Sequence, residues 1–221
     1  MLTAKDEMLT PSEAAVVAGV TVREIHRVMD EHILPERFYA MAGGRRLHLA
    51  GCPLVGFYFH AAKALTADER SLLIRLLADR LASGAAANPH KTWRRSSGPA
   101  DWTIGDGFLT VSLWEFATGA DDRYAKLAQA REAVVEDPEI LSGTPAIRGT
   151  RIPVYDVAAS VAAGEPWERI RAAYSALDDR LIELASIYAE ATPWRGRPRR
   201  PVVLAGAKVV SEHKVARRPS A

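Results

Sequence analysis

Residues Gly143–Ser160 read GTPAIRGTRIPVYDVAAS. Two glycines, two prolines and two arginines fall within the first eleven positions, ahead of a run in which Val154, Val157, Ala158 and Val161 recur with helical spacing. Gly149 supplies the backbone freedom for a turn, and Pro153 ends an extended entry and opens a helix. That helix stops at Gly164. A second apolar stripe follows at Trp167, Ile170 and Tyr174, and a third at Leu177, Leu181, Leu184, Ala185 and Tyr188. Three short helices joined by tight turns predict a compact unit of the helix-turn-helix kind over residues 142–191. Its two arginines stay open between two roles. Arg148 and Arg151 either hold the turn together, Arg151 by pairing with Asp156 or with a carbonyl, or reach outward to a nucleic-acid phosphate or a protein partner.

Toward the N-terminus, Thr10-Pro11-Ser12-Glu13 combines a capping hydroxyl, a proline at the first helical position and a glutamate three residues after the cap. A short helix to Ala18 is predicted, ended by Gly19 in the left-handed region. Thr21 caps a second helix from Val22 to about Glu31, with Val22, Ile25, Val28 and Met29 on its apolar face. Apolar and aromatic residues flank Gly43-Gly44 in RFYAMAGGRRLHLA, a hairpin signal that puts Arg45 and Arg46 at the tip. The order of these pieces predicts a winged helix-turn-helix over residues 1–83. Its last part is a helix in CPLVGFYFHAAKAL, apolar nearly all round, and an amphipathic helix from Thr66-Ala67-Asp68-Glu69 to about Leu81 with Leu72, Leu73, Leu76 and Leu77 inward. Residues 84–141 read as a linker from Ser83 to Asp101, a β-hairpin over 102–113 turning at Gly105-Asp106-Gly107, and a helix over Asp121–Ala133. The fold class expected is mainly α with a short β-hairpin middle, a C-terminal three-helix module and an extended tail at 192–221.

Charge is distributed unevenly. The net is zero over residues 1–83, −3 over 84–141, −2 over 142–191 and +7 over 192–221, within a whole-chain value of +2. The tail TPWRGRPRRPVVLAGAKVVSEHKVARRP sets Trp194, Arg195, Arg197, Arg199 and Arg200 beside the apolar patches Val202, Val203, Leu204 and Val209, Val210. A segment of this composition suits ordering on a partner. A solvated basic tail adding loose nucleic-acid affinity, or a strand laid on the 102–113 hairpin, are the competing readings.

Several function classes find little support. The lone Cys52 rules out an intramolecular disulfide framework and a multi-thiolate metal site, and suits a reducing compartment. None of the six histidines has the spacing of a metal site, and no nucleophile elbow or phosphate-cradling glycine loop occurs. No catalytic residue, metal or cofactor is therefore expected, and His60 and Cys52 read as packed residues. The opening MLTAKDEMLT has no apolar core of a signal peptide, and no run of about 18 apolar residues is present, so a cytoplasmic protein away from membranes is expected. On the second helix Arg23, His26 and Arg27 share a face, where such a helix enters the major groove, with Thr21 at its start and Arg45 and Arg46 on the wing. The competing reading there is a solvated charged face.

The residues Gly143, Pro145, Ile147, Gly149 through Val154, Gly164, Tyr174 and Leu177 carry a resemblance. The stretch Glu136–Asp179 resembles the antitoxin domain catalogued as domain of unknown function 433, with Ser175 where that family usually has proline. Residues 9–49 resemble, more loosely, the winged helix-turn-helix of MerR-type regulators, without the long coiled coil and effector cysteines of the metal sensors. The combination is similar to VapB-type antitoxins. That resemblance implies a protein that binds its own operator DNA, autoregulates its operon and blocks a PIN-domain ribonuclease toxin, whose acidic, magnesium-holding site would take arginines of the tail. It also implies a homodimer or a larger hetero-oligomer with the toxin. The alternative is a free-standing DNA-binding transcriptional regulator with no toxin partner.

Overall fold

The computed structural model describes residues 8–83, 98–106 and 109–194. They form a mainly helical structure with three small antiparallel sheets. Strand β1 (Met8–Leu9) leads into α1 (Pro11–Ala18) and α2 (Val22–Asp30). Both helices start on a complete capping box. Thr10 Oγ1 accepts from the Glu13 amide while Glu13 returns to the Thr10 amide, and Thr21 and Glu24 repeat the exchange. Gly19 closes α1 at φ +69°, which lets the chain turn within three residues.

Strands β2 (Tyr39–Ala40) and β3 (Arg46–His48) make the hairpin around Gly43 and Gly44. β1 joins it, pairing Met8 with His48 and Leu9 with Leu47, so the order is β1-β3-β2. The third strand had no sequence signal, because two residues are too few to show an alternation. Helix α3 (Cys52–His60) is buried continuously from Cys52 to Tyr58, as its unbroken apolarity predicts. It crosses α1 at Gly56, where a Cβ would stand 2.9 Å from the Ala18 carbonyl oxygen.

Helix α4 (Ala67–Ser83) lies against α3 with Leu73, Ile74, Leu77 and Ala78 buried. Leu72 and Leu76, expected inward, are 50% and 46% exposed. Leucines in adjacent pairs fit two overlapping arcs, and packing on α3 selects the arc that includes Ile74. Similarly Val22, expected on the apolar face of α2, is the first helical residue and lies beyond the reach of the core.

Strands β4 (Thr103–Asp106) and β5 (Leu109–Ser112) pair with Ile104 opposite Val111, and Trp102 just before them is buried. Gly105 belongs to the ladder opposite Thr110 and not to the turn. The following helix, α5, runs Trp114–Ala133, seven residues longer at its start than expected. Its buried face is Ala117, Ala120, Tyr124, Leu127 and Ala130. Alanines give such a face little apolar contrast, and Gly119 disguised the first turns. That glycine is covered by Arg123, whose Nη1 would lie 3.2 Å from an added Cβ.

From α5 the chain enters β6 (Val134–Val135), which pairs with β7 (Ala146–Ile147). Three helices follow, α6 (Val154–Ala162), α7 (Trp167–Ala173) and α8 (Asp179–Ala191). Pro153 precedes α6, Gly164 follows it at φ +76°, and the Asp178 carboxylate caps α8 through the Leu181 amide. Their apolar side chains form a second, smaller core with Val134 and Ile147. Ile182, outside the expected stripe, is fully buried in it, whereas Trp167 is 38% exposed. Helix α5 contributes to both cores, and Ile187 of α8 packs against both.

Candidate functional site

The α1–α2 turn is held from two sides. Arg123 Nε on α5 donates to the Val17 carbonyl at 2.8 Å, and His60 Nε2 at the end of α3 donates to the Gly19 carbonyl at 3.0 Å. These bonds satisfy carbonyls at the end of α1 that have no helical partner. Partial burial lowers the Arg123 pKa from its ordinary value. The turn therefore sets the direction of α2 through contacts with two other helices, not through its own sequence alone.

On α2, Arg23 and Arg27 are exposed and His26 is half-buried. Arg27 Nε reaches both oxygens of Glu31, at 2.9 and 3.0 Å, and this carboxylate raises its pKa. Arg45 folds back from the hairpin onto α2. It meets Asp30 at 2.7 Å and the Nδ1 atom of His26 at 2.9 Å. A guanidinium can only donate, so His26 accepts at Nδ1 and carries its proton at Nε2. The hairpin is thereby fastened to α2 by one side chain. Arg23 and Arg46 are exposed and have no ion-pair partner among the described residues. Thr21 is occupied by the cap, its hydroxyl donating to Glu24 at 2.9 Å.

The predicted cations thus divide. Arg23, His26, Arg27, Arg45 and Arg46 do converge on α2 and the hairpin, but Arg27 and Arg45 are engaged by carboxylates. Arg148 lies elsewhere, at the C-terminal end of α5. Its Nε donates to the Glu132 carbonyl at 2.7 Å and its Nη2 to the Val134 carbonyl at 3.1 Å, while its backbone amide bonds to the Ala133 carbonyl at 2.8 Å. This is the turn-holding alternative. Arg151 is exposed, and the pair with Asp156, one of the alternatives open to it, is not among the ion pairs of the described residues. Of the tail residues, Trp194 is described and 57% exposed, its ring meeting the edge of Tyr155 at 4.8 Å. Arg195, Arg197, Arg199, Arg200, Val202, Val203, Leu204, Val209 and Val210 lie outside the described residues.

Sequence reading missed the surroundings of the α2 N-terminus. One groove of about 580 Å³ runs from the α1–α2 turn to Arg123, Lys126, Glu183 and Glu190. A second, of about 540 Å³, separates Val22 and His26 from Glu136, Tyr155 and Trp194. In this second groove the Tyr155 hydroxyl donates to the Thr192 carbonyl at 2.7 Å, and the Tyr188 hydroxyl to Glu136 Oε1 at 2.6 Å. Both phenols have raised pKa values, first through burial; for Tyr188 the hydrogen bond to Glu136 comes next, and the Glu136 charge adds to both. Val22, His26, Tyr188 and Trp194 each carry a sequence signal of their own, but nothing local to any of them or to Glu136 announces a shared cleft. Among the described residues no three His, Cys, Asp or Glu side chains are placed to hold a metal ion, and no helix is long and apolar enough to cross a membrane.

The model of the family described as protein of unknown function (DUF433) matches residues 134–189, from β6 into α8. Uncharacterized protein y4eO of Sinorhizobium fredii (strain NBRC 101917 / NGR234) is 50% identical over 213 residues, covering 96% of this chain and 94% of the relative. The crystal structure of Rv2018 from Mycobacterium tuberculosis is similar over 80% of this chain and 95% of its own, at 17% identity and a TM-score of 0.31, too low to bear on fold or function. Half of the residues shared over nearly the full length of both chains, with β6, β7 and the α6–α8 helices matching a family model, place this protein in the family of y4eO, with a DUF433 segment at residues 134–189.

Proposed function

We propose that this protein is a DNA-binding antitoxin that acts by stoichiometric binding, with residues 8–60 as a winged helix-turn-helix and residues 192–221 as the segment that engages a PIN-domain ribonuclease. The observation that carries the DNA half is the placement of Arg23 and Arg46, exposed and unpaired among the described residues, on a helix and a hairpin fastened to each other by Arg45. Rigid spacing between a groove-entering helix and a backbone-gripping hairpin is what a duplex reader requires. The acidic partners of Arg27 and Arg45 do not oppose this reading, because each is already neutralised by its arginine. The toxin half rests on the resemblance of Glu136–Asp179 to an antitoxin domain, together with the basic, valine-bearing tail sequence. Charge-assisted bonds from arginines to a cluster of carboxylates are strong and geometrically specific.

The test of the DNA half uses the DNA upstream of the chain's own reading frame. Replacing Arg23 and Arg46 by alanine should weaken binding and flatten the salt dependence by about 0.9 logarithmic unit for each lost phosphate contact. An unchanged slope overturns the assignment of α2 and the hairpin. For the toxin half, co-expression with the protein of the neighbouring reading frame compares the full chain with one ending at Ala191. Growth rescue by the full chain alone supports the tail as the toxin-binding segment. Rescue by both forms moves toxin binding into the folded part, and the absence of any toxicity to rescue leaves a free-standing regulator.

A further inference from the structure

The groove between α2 and the C-terminal helices has a chemistry that neither half of the proposed function uses. Its lining is rich in aromatic residues and prolines: Trp194, Tyr155, Pro11, Pro145 and Pro193. Its titratable lining is two glutamates, one histidine and the Tyr155 phenol, with no lysine or arginine. Glu13 is already engaged by Arg131 at 2.6 Å. Glu136 is different. It is exposed, oriented by the Tyr188 hydroxyl at Oε1, and its Oε2 has no partner among the described residues. Asp137 and Glu139 follow it directly in the chain.

Aromatic walls with a free carboxylate at one end suit a segment of prolines and arginines. Proline rings lie on aromatic faces with little conformational entropy to lose, and an arginine fork pairs with the carboxylate. The chain itself carries such a segment where it leaves the groove. After Trp194 the sequence runs RGRPRRP, Arg195 to Pro201, with Pro198 and Pro201 spaced three apart and four arginines around them. The segment begins at the residue after Trp194, which itself lines the groove, so a short turn is all that a docked chain needs to lie along the cleft. The last thirty residues hold eight basic residues against one acidic, the opposite sign to the Glu136–Glu139 stretch.

We propose that the groove is the docking site of the chain's own Arg195–Pro201 segment, held in the same molecule by Glu136 and by stacking on Trp194 and Tyr155. Val22 and His26 form the facing wall, so docking covers the N-terminal end of α2. Any polypeptide that takes up these arginines must compete with the groove for them. The inference does not depend on what that polypeptide is.

Trypsin tests it on the full chain. The bonds Arg195–Gly196 and Arg199–Arg200 are susceptible, while the Lys214–Val215 bond, outside the segment, serves as the internal control. Cleavage of a docked segment follows the population of its released form. In Glu136→Gln, which keeps an acceptor for Tyr188 and loses the charge, and in Trp194→Ala, both at exposed positions, cleavage at the first two bonds should accelerate about fivefold or more with the Lys214 bond unaffected. Raising the salt concentration should reproduce the Glu136→Gln effect in the unsubstituted chain. Equal rates at the three bonds that neither substitution changes would overturn the proposal. So would protection that disappears on dilution, which assigns the groove to the tail of a second copy.

Discussion

The two cores of this protein are built differently. The first surrounds α3, whose seven residues from Cys52 to Tyr58 are all buried between α1, α2, α4 and α5, so that helix needs no polar face. The second has no enclosed element. Helices α6 and α8 each keep an exposed side, α7 supplies Ile170 as its one buried residue, and the layer is completed by Ala130 of α5 and by the β6–β7 pair. A core around a central helix can stabilise itself, whereas a half-layer depends on what it leans against. Here that support is α5 and α1, with Lys126–Glu183 as an ion pair across the boundary at 2.5 Å and Arg131–Glu13 joining α5 to α1 at 2.6 Å. Both pairs are partly exposed and each contributes at most about 1 kcal/mol, so shared apolar residues such as Ile187 carry most of the coupling.

The sharpest challenge to this contrast is Trp102→Ala. The indole is fully buried in the first core, and its loss should cost about 3–5 kcal/mol in denaturant unfolding. A cost below about 1 kcal/mol would show that the first core does not need the β4–β5 segment. Ile170→Ala should cost about 2–3 kcal/mol, and hydrogen exchange should localise the loss to residues 134–191, leaving α3 protected. Uniform loss of protection in α3 as well would mean that the two cores act as one unit.

Smaller effects refine the boundary. Arg148→Met keeps the aliphatic stem but strips the Glu132 and Val134 carbonyls of their donors, which should cost about 1 kcal/mol and raise exchange in β6 and β7. A change in DNA affinity instead of in stability would return Arg148 to the contact role. The mildest probe alters nothing in the fold. Burial pushes the Cys52 thiol well above its ordinary pKa, so its thiolate, the form that reacts, is scarce in the folded state at all moderate pH values. Labelling by a thiol reagent should therefore report opening of the first core, and Ile170→Ala should leave its rate unchanged.

Capping and turn chemistry were legible because their partners lie within four residues. Thr10 with Glu13, Thr21 with Glu24 and Thr66 with Glu69 all form, and Gly19, Gly43, Gly44, Gly149 and Gly164 all take positive φ. Helix faces were less legible. On α4 the leucine pattern admitted two orientations, and the alanine face of α5 hid a third of that helix. For the candidate site, the grouping of Arg23, His26, Arg27, Arg45 and Arg46 followed from helix and hairpin spacing. Which of them are engaged did not, because Arg45 reaches Asp30 and His26 across a gap of fifteen and nineteen residues.

What the sequence determined, then, was where the capped helices α1, α2 and α4 begin, where α1 and α6 stop at a glycine, and the burial of α3, since caps, left-handed glycines and an unbroken apolar run act locally. Tertiary structure alone decided the commitment of Arg148 to the end of α5, the addition of Met8–Leu9 to the hairpin sheet, and the cleft that brings Glu136 and Trp194 to the wall of α2. Those contacts join residues far apart in the chain. Their formation depends on how whole helices pack, a choice that no single segment's pattern contains.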